Sequence, residues 1–220
     1  MKKAPFAKIF VSVLAIVGLL VFLTPYVFNL ERVRSKITYE IAHRLNSNID
    51  IKAISWQWRP LPCVVLTGAL VSNKQLEAEI PKIMLSPDLL GLFRGKPGIN
   101  RAVFNNPNLH LKSLAPLDDK KPWTLPPRSV TLVIKNGSLA LDPEDVFPGQ
   151  IRHTNSLNFS NVEARIHIKP DEIDASLTCI PPYAKNLETK GHFIPSKDSY
   201  KLWINSQGFK PHEILFTSLN

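Results

Sequence analysis

Val162-Glu163-Ala164-Arg165-Ile166-His167-Ile168, then Lys169-Pro170-Asp171, then Ile173 through Ile180, is the stretch that decides the fold. Apolar residues fall at every second position and polar ones fill the gaps. That is the signature of a strand with one face buried. Lys-Pro-Asp is a turn: proline presets φ for its second position, and Asp bonds its own backbone. The segment therefore reads as two antiparallel strands.

The same pattern extends in both directions. Upstream, Val130, Leu132 and Ile134 alternate. Asn136-Gly137 is the dipeptide that two-residue hairpins favour, because both residues tolerate positive φ. It predicts a turn there, with Leu139 and Leu141 on the returning strand. Asp142–Asn155 reads as a polar loop. Downstream, Leu187–Ile194 and Ser199–Asn205 predict a hairpin in which Tyr200, Leu202 and Ile204 share a face. Pro211–Leu219 begins a second helical pattern.

Toward the N-terminus the strand signals are Ile49–Ile54, Cys63–Leu66 with Ala69–Val71, Leu76–Ile80, Ile99–Phe104 and Asn108–Lys112. Ser86-Pro87-Asp88 predicts a short helix over Pro87–Phe93, with Ser as cap and Pro at the first position. Ala115–Pro127 holds four prolines in 13 residues and reads as a linker. The chain carries 19 prolines against 9 glycines, a proline share above the ~5% norm. That leaves little room for long helices. The expected fold is mainly β: an antiparallel meander of eight to eleven strands, curved into a groove, with one or two short helices. Ten strands would stack to roughly 48 Å.

Before the strands come two different blocks. No charge occurs between Lys8 and Glu31. Those 22 residues would span roughly 33 Å as a helix, enough to cross a bilayer. The run is longer than a signal-peptide core, and no small-residue cleavage site follows it. An uncleaved anchor over 1–29 is the expectation, with Ile9, Leu14, Leu20 and Phe28 facing lipid. Leu30, Val33, Ile37, Ile41 and Leu45 then recur at helical spacing, with Arg32, Arg34 and Lys36 mostly elsewhere on the wheel. This predicts an amphipathic juxtamembrane helix within 30–48, read first as an ordinary helix capping the first strands and, compatibly, as an interfacial one whose cations meet headgroups. A first β module over 49–114, the linker at 115–127 and a second module over 128–220 complete the organisation.

Formal charge is +9, of which residues 1–60 carry +6. Basicity concentrated beside the membrane favours anionic lipid over nucleic acid. Flanking lysines favour an N-in orientation with the bulk of the chain outside the cytoplasm. Cys63 and Cys179 sit in apolar surroundings and read as two buried thiols, with a disulfide as the alternative.

Chemistry-bearing patterns are absent. His43, His110, His153, His167, His192 and His212 show no metal-ligand spacing, and each reads as a solvated residue. Asp171-Glu172-Ile173-Asp174 falls in a predicted turn and reads as a solvated loop. Asn136-Gly137-Ser138 and Asn158-Phe159-Ser160 match glycosylation acceptors, a triplet common by chance. No nucleophile elbow, phosphate loop or dinucleotide fingerprint occurs. Neither an enzyme, a cofactor nor a metal is expected.

Ile54-Ser55-Trp56-Gln57-Trp58-Arg59-Pro60-Leu61-Pro62, with Val64–Leu66, Gly68 and Val71, resembles the first hairpin of the AsmA-like family of Gram-negative envelope proteins, whose relatives include TamB. Leu76–Leu85 followed by Leu89-Leu90-Gly91-Leu92-Phe93-Arg94-Gly95 is similar to its second strand and short helix. Ile99–Val103, then Asn106-Pro107-Asn108-Leu109-His110-Leu111, continues the pattern, and Gly208-Phe209-Lys210-Pro211-His212-Glu213-Ile214-Leu215 is also similar to the family. The resemblance covers most of 1–112 and, more loosely, 128–220. It implies an inner-membrane anchor, a periplasmic β-groove and a role in outer-membrane biogenesis through phospholipid movement. Family members are usually much longer, so the chain reads as a fragment, a truncated product or a first module that needs partners, with the end at Asn220 favouring truncation.

Two functions follow from the sequence. The favoured one is a lipid-handling module, with membrane phospholipids as partners. Leu132, Ile134, Leu139, Leu141, Val162, Ala164, Ile166, Leu202 and Ile204 would line its groove. The other is a tethered scaffold whose apolar face meets other envelope proteins.

Overall fold

A computed structural model describes residues 47–58, 62–88, 98–112, 125–142 and 156–209, together with Ser35, Tyr39 and Gly91. The expected anchor, with Ile9, Leu14, Leu20 and Phe28, lies outside the described residues. So do Arg32, Arg34 and Lys36 and the helix at Pro211–Leu219. Ser35 and Tyr39, both helical and exposed, fall inside the expected juxtamembrane helix. No helix among the described residues is long and apolar enough to cross a membrane.

The described chain is mainly β. Its strands are β1 (Asn48–Gln57), β2 (Cys63–Ser72), β3 (Leu76–Pro87), β4 (Ile99–Asn105), β5 (Asn108–Leu111), β6 (Val130–Leu141), β7 (Leu157–Ile168), β8 (Ile173–Ile180), β9 (Asn186–Ile194) and β10 (Ser199–Gln207). They form one sheet in the order β1-β2-β3-β4-β6-β7-β8-β9-β10, and β5 pairs with β3 and β6. Local turn chemistry closes the hairpins. The Asn73 side chain accepts from the N–H groups of Gln75 and Leu76 at 2.8 and 2.7 Å, turning β2 into β3. Lys169 N–H donates to the Glu172 carbonyl at 2.8 Å, closing the expected Lys-Pro-Asp turn.

Two expectations need correction. The meander is not wholly antiparallel, because β4 and β5 both pair parallel with β6. A parallel neighbour requires a crossover of a dozen or more residues. The stretch from Lys112 to Ser129, which includes the Pro-rich segment, supplies that length. The other correction concerns Asn136-Gly137, which makes no hairpin. β6 runs straight through it, with Asn136 at φ 50°. A bulge needs the same positive-φ residue as a tight turn, so the dipeptide serves either.

The helix cap also moves. β3 extends to Pro87, and Asp88 rather than Ser86 accepts from the Gly91 N–H at 3.0 Å. Asp88 also pairs with Arg128, just before β6.

The left-handed residue at Asn136 is one of a row. Gly68 in β2 (φ 64°), Asn106 between β4 and β5 (φ 51°), Asn136 in β6 and Asn161 in β7 (φ 50°) are all left-handed. Register sets Gly68 beside Lys52 and Pro81, Pro81 beside Asn106, and Asn106 beside Asn136. The β7 irregularity adjoins the β6 one. A left-handed residue costs roughly 1–2 kcal/mol unless it is Gly, or Asn with its local side-chain bond. Glycine and asparagine occupy all four places.

Along this line every strand from β1 to β7 slips phase. The inward residue is followed by the next inward one three places on, not two: Ile51 to Ile54, Leu66 to Ala69, Ile80 to Ile83, Phe104 to Pro107, Ile134 to Gly137, and Phe159 to Val162. From β1 to β6 the strands slip together, residue against residue, and the ladder itself shifts only at β6–β7 and β7–β8, where the extra residue makes a bulge. β8, β9 and β10 alternate without a slip. Ile49, Ile51, Leu66, Ala69, Ala78, Ile80 and Ile83 form the packed core at the β1–β3 end, with Phe104 and Leu109 against it.

Candidate functional site: one apolar face across ten strands

Residues paired across a ladder project to the same side of the sheet. With the slips included, the register carries a single apolar face from β1 to β10. One transverse row runs Leu85, Ala102, Leu132, Ile166, Ala175, Gly191 and Leu202. The next runs Ile83, Phe104, Ile134, Ala164, Leu177, Thr189 and Ile204. Six of the nine residues singled out in the sequence occupy these two rows. Val162 lies opposite Gly137 at the crease, and Leu139 and Leu141 lie beyond it, paired with Phe159 and Leu157. All nine therefore share one face.

Their environments differ. Val162 and Ala164 are buried, and Leu132, Ile134, Leu139, Leu141 and Ile166 are half-buried. Leu202 and Ile204 are 59% and 65% exposed. Small residues thin the middle of the face at Ala102, Ala175 and Gly191. Above Gly191 the nearest atom to an added Cβ would be Leu202 Cδ1 at 3.9 Å. The face also includes Phe104, Leu109, Phe159 and Leu177, which were not singled out. Their strands show the same alternation, and the slip at the crease hides the continuity. Tyr183, from the β8–β9 turn, meets Phe159 edge-to-face at 6.3 Å between ring centres and Phe209 at 5.7 Å. Burial raises the pKa of Tyr183.

The opposite face is mixed: Val65, Met84, Val103 and Val133 form an apolar row in which Val65 and Val133 are buried, and beyond it the face is polar and cross-linked by charge. Glu77 pairs with Lys112 at 2.6 Å, and His110 Nε2 contacts Asp142 at 2.6 Å. Ser156 donates to the same carboxylate at 2.8 Å. The hydrogen bond from Lys112 holds Glu77 below the usual carboxylate range, and those from Ser156 and His110 do the same for Asp142. A second cluster lies at the β7–β8 turn. Lys169 pairs with Glu172 and with Asp174 at 3.2 Å, and His192 Nδ1 contacts Asp174 at 2.7 Å. The bonds from His192 and Lys169 depress Asp174, and the bond to Glu172 raises Lys169.

The sequence reading is corrected at three histidines. His110, His167 and His192 are not simply solvated, since each bonds a neighbouring side chain: Asp142, Thr131 and Asp174. Glu172 and Asp174 are likewise engaged rather than loose. Ser156 donates to the carboxylate of Asp142 and not to the imidazole of His110, so a serine–histidine pair is not formed there. Among the described residues no group of three His, Cys, Asp or Glu is placed to hold a metal ion.

Cys63 and Cys179 are free and buried. Burial pushes the Cys179 thiol up, which opposes thiolate formation. No protein-family model, no curated protein and no solved structure matches this chain.

Proposed function

We propose that the protein is a membrane-tethered module that binds phospholipid acyl chains on the apolar face of its sheet and passes them along it. The observation that carries this reading is the register. Ten strands place mostly apolar side chains on one side, with Thr189 and Gly191 the exceptions in its two transverse rows. The register irregularities at β6–β7 and β7–β8 support local curvature, since a bulge bends its strand. Curvature turns a flat apolar face into a groove suited to a chain. Small residues at Ala102, Ala175 and Gly191 leave width for methylene groups. The charged clusters of the other face would remain in water. The lysine-flanked run at 1–29 would anchor the module in an inner membrane, and Arg32, Arg34 and Lys36 would meet phosphate headgroups. With the resemblance to AsmA-like proteins, this supports reading the chain as a periplasmic module of outer-membrane biogenesis.

The test is site-specific photocrosslinking in living bacteria labelled with radioactive phosphate. A photoreactive residue replaces Ile166 or Leu202 on the apolar face, or Glu163 or Arg165 on the polar face. Lipid adducts only at the first pair support the reading. Equal labelling at all four, or none with the protein folded, overturns it. Ile166→Glu should abolish the adduct at position 202 and leave the strand signal in circular dichroism intact.

A second reading is a tethered scaffold for envelope proteins. It is favoured by one observation, the exposed Leu202, Trp203 and Ile204 on the last strand. Protein adducts in place of lipid adducts at position 202 would select it.

A further inference from the structure

The two edges of the sheet are not alike. β1 presents Asp50 and Lys52 on its polar side, and Ile49 and Ile51 on its other side are buried. Charges and burial of that kind protect an edge against further pairing. β10 is less protected. All nine of its residues are exposed, and no described strand pairs with its outer side. Tyr200, Leu202 and Ile204 lie on one face and Trp203 on the other, so the strand is apolar on both. Lys201 is its one charged residue. It follows a bulge-free pair of strands, so the edge continues their regular ladder. Such a strand is a template for another.

We propose that β10 pairs antiparallel with β10 of a second copy, about a two-fold axis at Trp203. The sequence of the strand is self-complementary about that point. Trp203 is the midpoint of Ser199–Gln207, so full overlap is obtained only there. In that register Leu202 faces Ile204 of the second copy, and Lys201 faces the neutral Asn205 of the second copy. A parallel in-register pair would instead set each Lys201 beside its equivalent, and like charges placed so are destabilising. The two-fold axis stands perpendicular to the sheet, so both apolar faces stay on the same side. Closed two-fold symmetry also ends the assembly at two copies, where a head-to-tail edge contact would propagate. This pairing does not depend on what the apolar face binds.

The experiment uses the full chain purified in detergent and oxidised mildly. At the axis the two Trp203→Cys side chains stand directly opposite, with Cβ atoms ~4.5–5.5 Å apart, close to disulfide distance. The W203C variant should convert to a linked dimer of twice the 24.8 kDa chain mass. Lys201→Cys alone should not link, because its equivalents lie about four residues, ~13 Å, apart. Mixed with Asn205→Cys it should link. Wild type is the control, since Cys63 and Cys179 are buried. Ile204→Lys should halve the protein mass measured by light scattering and leave circular dichroism unchanged. A monomeric wild type, or K201C linking to itself as fast as W203C, overturns the proposal. So does a dimer that survives I204K and leaves W203C unlinked, because its interface lies elsewhere.

Discussion

Ile51 and Leu66 at one end of the sheet, and Leu202 and Ile204 at the other, hold equivalent places in alternating strands. The first two are 2% and 3% exposed, the last two 59% and 65%. The strands differ little in apolar pattern. What differs is whether anything covers them. Alternation tells which side of a sheet a side chain takes, and neighbours decide whether that side is dry. A large aliphatic side chain gains roughly 1.5–3 kcal/mol on full burial. Each covered position at the β1–β3 end collects that gain, and each open one at β9–β10 leaves it for a ligand or a second strand. One continuous face thus has a part that holds the fold and a part that is free to bind.

The sharpest way to break this comparison is truncation at both ends. Leu66→Ala and Ile80→Ala should each cost about 2–5 kcal/mol in urea unfolding, because they open cavities in a packed cluster. Leu202→Ala and Ile204→Ala should cost less than about 0.5 kcal/mol, as exposed surface positions do. Similar losses at both ends would mean that the open face is covered in solution.

The glycines sharpen the contrast at mid-sheet. A Cβ on Gly137 would meet Ile134 Cγ2 at 3.1 Å, Pro107 Cγ at 3.2 Å and the Pro107 carbonyl oxygen at 3.3 Å. Backbone and a fully buried proline cannot step aside, so Gly137→Ala should cost about 1–3 kcal/mol. At Gly191 the nearest atom is 3.9 Å away, and Gly191→Ala should shift the midpoint by less than about 0.5 kcal/mol. An equal loss at both would remove the crease as the rigid part of the sheet.

The smallest effect is in pH. Glu77, Asp142 and Asp174 have folded pKa values below their ordinary ones. Their contribution is present above the ordinary carboxylate pKa, about 4, and is lost as pH falls through the lower folded values. These groups are solvent-screened, so the loss in melting temperature should be shallow. Asp174→Asn should flatten the part of it that comes from the β7–β8 turn. A steep loss that persists in D174N would assign acid sensitivity to other groups.

Legibility in the sequence followed the range of the interaction. β8 was expected over Ile173–Ile180 and is found there, because its alternation and its Lys-Pro-Asp turn are local signals. The nine apolar residues chosen from alternation do share a face. Asn136-Gly137 was misread, since positive φ is all the dipeptide specifies, and both a hairpin and a bulge use it. The crease did leave a trace: paired outward residues such as Lys52-Ala53, Pro81-Lys82, Lys135-Asn136 and Ser160-Asn161 interrupt the alternation. One such pair reads as noise. Four at equivalent places become a feature only when the strands lie side by side.

By itself, then, the sequence determined that the chain is mainly β, where most strands lie and which residues of each strand are apolar. Period-2 patterning and turn residues act over a few positions. The tertiary structure alone decided the parallel joint of β4 and β5 with β6, the alignment of the left-handed residues into a line, and the covered and open ends of one face. Each of these depends on which strand sits beside which. That choice is settled by burial and backbone pairing across tens of residues, and no local stretch encodes it.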